Sequence, residues 1–180
     1  MKLSWAILLP IMIMRLSGTS GNVQNAKNTG SKEQRLFDAD DITVEHPVAL
    51  PTGALQVLRK DEQVLLSLKA EGKSADELTP MSFLASEIHL DGTRETDLIV
   101  IGVGKLRGAN VSPFWVFRQS QGYDLVLKVV ARGLCVLSTT WNGYRIIEAG
   151  SALSSTSYTT QYRFDGKKYR PFKKESSPVQ

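Results

Sequence analysis

The sequence predicts an α+β fold, with one or two N-terminal helices packed on an antiparallel β-meander of about six to eight strands. Three observations predict it. Apolar residues recur at helical spacing most clearly between Ala54 and Ala70. From residue 87 onward, short runs rich in β-branched and aromatic residues alternate with turn residues. The connections between those runs are shorter than the roughly dozen residues a parallel crossover needs, so neighbouring strands must be antiparallel.

The 180-residue chain opens with Lys2, an apolar run over residues 3–14, and small residues at 17–21. This is the three-part layout of a secretory signal peptide, with cleavage after Ser20. Pro10 and Arg15 depart from the ideal layout. The apolar run falls well short of the roughly 20 residues of a membrane span. The expectation is therefore an exported protein, periplasmic or extracellular, with no transmembrane span after cleavage. Lys2 and Arg15 are the only charges in this segment, and without them the net charge falls from +4 to +2. That excess is too small to point to nucleic acid. Residues 21–35 are polar and nearly free of large apolar side chains, which predicts a disordered linker. A single domain is expected over residues 36–172, with a flexible tail at 173–180.

Within the domain, Leu36 to Asp41 carries three acidic residues and reads as a solvated turn. Leu55, Leu58, Leu65 and Leu68 share one side of a helix over residues 54–70, with Val64 alongside and Gly72 at its end. Ser74 and Glu77 have capping-box spacing and predict a second, short helix before Pro80. Residues 81–86 add a further helical turn. Candidate strands are 87–90, 97–103, 113–118, 123–130, 134–140, 144–149, 157–164 and 168–172. Asn142-Gly143 and Asp165-Gly166 each predict a two-residue hairpin turn. The densest β-branched run, Leu98 to Ile101, predicts a central strand.

Candidate chemistry follows from a few clusters. The segment Gly102-Val103-Gly104-Lys105-Leu106-Arg107-Gly108 has neither the spacing nor the following helix of a dinucleotide site, and it lacks the ending of a P-loop. It reads as a connection between strands. The lone Cys135 lies among apolar neighbours, which excludes an intramolecular disulfide and predicts a buried thiol. His89, Asp91 and Asp97 are the most plausible titratable cluster for an exported hydrolase. No nucleophile motif marks a serine, so an enzyme is the less favoured reading. No cofactor or metal is expected.

The aromatic and basic residues carry the favoured reading. Arg163, Lys167, Lys168, Arg170, Lys173 and Lys174 interleave with Tyr162, Phe164, Tyr169 and Phe172. Such mixtures can bind anionic glycans, cell-wall polymer or nucleic acid through stacking and charge. Trp115, Trp141, Tyr144, Arg145, Arg163 and Lys168 are the candidate binding residues of a non-enzymatic domain. Its partner would be a protein or a cell-envelope component met through the sheet.

Two resemblances accompany these readings. Asp91-Gly92 followed by Asp97-Leu98-Ile99-Val100 resembles the calcium loop of FG-GAP and integrin-type propeller repeats. The carboxylates that precede the glycine in that loop are replaced here by Ile88, His89 and Leu90. The resemblance implies a small calcium-binding module, with Asp91, Glu95 and Asp97 as its oxygen donors. The phrases GANVSPFWVFR, WNGYR and YRFDGKKY also resemble uncharacterised exported bacterial proteins. That resemblance implies export and supplies no activity.

Overall fold

The computed structural model describes residues 36–41, 43–93, 95–119 and 122–178. The expectations for the signal peptide and the linker lie outside these residues. Two helices, α1 (Thr52–Leu58) and α2 (Glu62–Ala70), stand mid-chain after a first short strand, β1 (Leu36–Asp38). Eight more strands follow: β2 (Phe83–Ile88), β3 (Asp97–Gly102), β4 (Ser112–Gln119), β5 (Tyr123–Ala131), β6 (Gly133–Trp141), β7 (Tyr144–Leu153), β8 (Thr156–Phe164) and β9 (Tyr169–Pro178). They form two antiparallel sheets, ordered β2-β3-β4-β5 and β1-β6-β7-β8-β9. The α+β class and antiparallel pairing agree with the sequence. The helices are not N-terminal, however, and among the described residues the strands number nine, in two sheets.

Strand alternation explains the layering. Ile99, Ile101, Phe114 and Val116 join a core with Leu134, Val136, Ile147, Phe164 and Tyr169 of the opposite sheet. Their neighbours Leu98, Val100, Trp115 and Phe117 join a second core with Ala54, Leu55, Leu58, Val64 and Leu68 of the helices. Side chains of successive strand residues point to opposite faces. The four-stranded sheet is therefore the middle layer, with helices on one face and the five-stranded sheet on the other. Every residue of β3 is buried.

The single helix expected over 54–70 is two helices because Asp61 restarts it. Asp61 sits in an extended conformation as the N-cap of α2, and its carboxylate accepts the N–H groups of Gln63 and Val64 at 3.0 and 3.2 Å. Aspartate competes well for these otherwise unpaired donors. The break rotates α2, so Val64 and Leu68 are buried while Leu65 is exposed. The Ser74–Glu77 capping box forms, on a single 3-10 turn. Residues 80–82 make another such turn, and residues 83–86, expected to be helical, already belong to β2.

Asn142 and Gly143, with φ of 50° and 81°, close a two-residue hairpin with Trp141 opposite Tyr144. Asp165-Gly166 behaves differently. Phe164 pairs with Tyr169, leaving a four-residue loop in which Asp165 accepts the N–H groups of Lys167 and Lys168. The acidic side chain satisfies donors that a tighter turn would have paired with backbone. β9 then runs on to Pro178, through most of the segment expected to fray, and pairs along the length of β8. Ser157 reinforces that pairing with an Oγ–Oγ contact of 2.8 Å to Ser177. Leu36 to Asp38, read as a turn, pairs instead with Gly133–Cys135 and places Phe37 in the core.

Candidate binding surfaces

The six candidate binding residues do not form one surface. Trp115 has no exposed area. It lies in the core beneath the helices, edge-on to Phe83, and its indole N–H donates to Asp61 at 3.1 Å. It therefore cannot present its ring to a partner. Both faces of β4 are apolar, and the helices and the second sheet cover them.

Trp141 and Arg163 do come together. The Arg163 guanidinium packs over the Trp141 ring at 4.3 Å and over the Phe172 ring at 3.6 Å. Trp141 is 46% exposed and Phe172 36% exposed. The Arg163 Nε is buried and has no hydrogen-bond partner among the described residues. A guanidinium held over ring faces keeps its charge while losing much of its rotamer freedom. Phe172 is a third member of this platform, and its place among alternating basic and aromatic residues of the C-terminal segment was the signal for it.

Tyr144, Lys168 and Arg145 lie elsewhere. Tyr144 stacks on Phe164 with ring centroids 4.4 Å apart, and the Arg118 guanidinium sits 5.0 Å from the Tyr144 ring and 5.1 Å from that of Phe164. The Arg145 carbonyl accepts the Tyr169 hydroxyl at 2.9 Å, and its N–H donates to the Leu90 carbonyl. Lys168 lines a groove with Arg118, Asp124, Leu125 and Val126. Arg118 was the residue missed by sequence reasoning. It ends an otherwise apolar strand, which was the only hint.

Asp91 and Asp97 are near this cluster, and His89 is not. Ile88 and Leu90 face the core between the sheets, so the intervening His89 faces the other way. Its Nδ1 lies 3.2 Å from the Glu95 carbonyl. Asp97 shares the inter-sheet side with Ile99. It is buried and accepts the N–H groups of Leu90 and Gln119 at 3.0 and 3.2 Å. Burial pushes its pKa up against those hydrogen bonds. Burial also acts on Asp91, but hydrogen bonds from Thr93 and the charge of Arg118 leave its pKa below the usual value. Desolvation drives the Tyr169 hydroxyl far above its ordinary pKa, so it remains a hydrogen-bond donor. These groups hold the elbow between β2 and β3 against the ends of β4 and β7.

Among the described residues, no group of three or more His, Cys, Asp or Glu side chains is placed to hold a metal ion. Asp91 instead accepts both the N–H and the hydroxyl of Thr93, at 2.9 and 2.5 Å. Gly104 to Leu106 forms a 3-10 turn leading into β4, so no helix follows the glycines. Cys135 is half-buried, a departure from the expected burial. Its neighbours Leu134 and Val136 point into the core, which turns its thiol to the opposite face. No helix among the described residues is long and apolar enough to cross a membrane. No protein-family model, curated protein or solved structure matches this chain.

Proposed function

We propose that this is an exported, non-enzymatic binding domain that engages a cell-envelope polymer through the face of its five-stranded sheet bearing Trp141, Arg163 and Phe172. The observation that carries the reading is the stacked platform itself. Two partly exposed rings, from β6 and β9, come together under one guanidinium from β8. Rings of this kind stack on sugar faces or apolar groups, while the guanidinium meets a carboxylate or phosphate. The start of the chain supports export through the charge, apolar run and small residues before position 21. Among the described residues, His89 faces away from Asp97, so the candidate catalytic cluster does not converge, which favours binding over catalysis.

Co-sedimentation with purified cell-wall material tests the surface. The parent protein is expected in the pellet, and W141A and R163A in the supernatant with unchanged melting temperature. Retention of both variants in the pellet removes the platform from the reading. N-terminal sequencing of protein recovered outside the cytoplasm tests export, with Gly21 expected as the first residue.

A further inference from the structure

We infer that the open edge of β5 takes an extended acidic peptide as an added strand, its carboxylates met by Arg118, Lys167 and Lys168. The four-stranded sheet has two edges, and they differ. The β2 edge is closed by the preceding chain: Glu87 donates to the His46 carbonyl at 3.1 Å, Val48 donates to the Ala85 carbonyl at 3.0 Å, and Pro47 bridges Ser86. β5 pairs with β4 alone. Half of its backbone donors and acceptors therefore face away from the sheet, and among the described residues no strand takes them up.

What lies beside that edge is a groove. Two adjoining cavities of about 260 Å³ each run between β5 and the β8–β9 hairpin, sharing Leu125, Val126 and Lys168 as lining. The apolar floor includes Leu127 and Tyr169. The rim is basic. Lys128 is paired with Asp61 and Arg170 with Asp165. Lys167 and Lys168 have no carboxylate partner among the described residues and hang over the groove from the hairpin loop. Arg118 is held in place by the Tyr144 and Phe164 rings. Asp124 is the one carboxylate along the lining.

An edge strand offers N–H and C=O groups at the spacing of another extended polypeptide, and main-chain pairing of this kind is a recurrent way to bind peptides. Flanking cations then select for acidic side chains. A charged glycan would satisfy the lysines but could not pair along the strand. This site is separate from the Trp141 platform, and its test separates the two.

The experiment titrates the full chain into a fluorescein-labelled (Glu-Val)4 peptide at low salt and reads anisotropy. Binding is expected to weaken about tenfold in K167E/K168E, and about tenfold when alternate peptide nitrogens are methylated, since that removes main-chain donors and keeps every charge. W141A is expected to bind like the parent. If charge reversal lowers the melting temperature, K167Q/K168Q serves, with a loss of about fivefold expected. No binding of (Glu-Val)4, equal binding of (Lys-Val)4, or equal binding of the N-methylated peptide each overturns the inference. Polygalacturonate competing as well with the parent as unlabelled (Glu-Val)4 does also overturns it.

Discussion

Replacing Asp61 with alanine should loosen the helices from the sheet, and the size of the effect can be assembled from the structure. The Asp61 side chain caps α2, accepts the Trp115 indole N–H and pairs with Lys128 at 2.9 Å. Losing an N-cap costs about 1 kcal/mol. The indole N–H belongs to a ring with no exposed surface, and leaving such a donor unpaired costs about 1–3 kcal/mol. Lys128 is partly exposed, so its ion pair contributes at most about 1 kcal/mol. The three groups share one carboxylate and do not add independently, which places D61A at about 2–4 kcal/mol. For a domain of this size that is a fall of roughly 5–15 °C in melting temperature. D61N keeps an oxygen for the cap and puts an amide where the indole needs an acceptor, so its loss should be intermediate. Urea unfolding followed by far-ultraviolet circular dichroism measures both. A D61A loss below about 0.5 kcal/mol, or a D61N as stable as the parent, would refute the assignment of Asp61 as the tie between the layers. The pH dependence gives a second reading. Burial raises the Asp61 pKa, but hydrogen bonds from Lys128, Trp115 and Val64 outweigh it and leave it below 3.8. A carboxyl depressed in the folded state stabilises above its unfolded pKa, and that part is lost as pH falls through the folded value. D61A should lack it.

Other outcomes follow from single contacts. I99A, at a fully buried position shared by β3 and the inter-sheet core, should cost about 2–5 kcal/mol in denaturant unfolding. G102V should destabilise by about 1–3 kcal/mol, because even a Cβ there would stand 2.8 Å from Pro113 Cγ and 3.0 Å from Leu106 Cβ. Y169F removes the hydrogen bond to the Arg145 carbonyl and should cost about 1 kcal/mol. Carboxyl NMR titration should find Asp165 near pH 2, held down by the N–H groups of Lys168 and Lys167 and by Arg170. Stability linked to it is present above the unfolded carboxyl value and fades as pH falls towards 2.

Local signals survived into the structure where one short-range force decided them. The Asn142-Gly143 turn needs two positive-φ residues and has them. The β-branched run at Leu98–Ile101 became an inner strand. Failures came where tertiary contacts decided. Leu36–Asp38 is too short and acidic to read as a strand, and it is one only because β6 offers an edge and the core accepts Phe37. Residues 173–178 have no apolar pattern, yet pair because β8 is long enough to receive them. The division into two sheets was hidden for a related reason. Apolar residues on both faces of β4 show that both sides are covered, without saying by what. For the site, aromatic and basic alternation led to Arg163 and Trp141, but composition could not separate the buried Trp115 from the exposed Trp141. His89 and Asp97 sit on opposite sides of one sheet because Asp97 pairs across the ladder with Ile88, whose side chain points away from that of its neighbour His89.

The middle sheet poses a problem of alignment during folding. In a sheet with one wet face, a one-residue slip exposes apolar side chains and is rejected at once. β3 has no wet face: a slip would exchange Ile99 and Ile101 with Leu98 and Val100, and each core would still receive aliphatic side chains. Hydrophobicity is therefore almost blind to the correct pairing of this strand, and the discrimination must come from its two ends. At one end Asp97 fits only where the Leu90 and Gln119 N–H groups meet its carboxylate. At the other, Gly102 allows Pro113 to approach as no larger residue would, and its carbonyl accepts the Ser112 hydroxyl. These two polar and steric stops act as a key for a strand whose middle would fit the lock in either orientation.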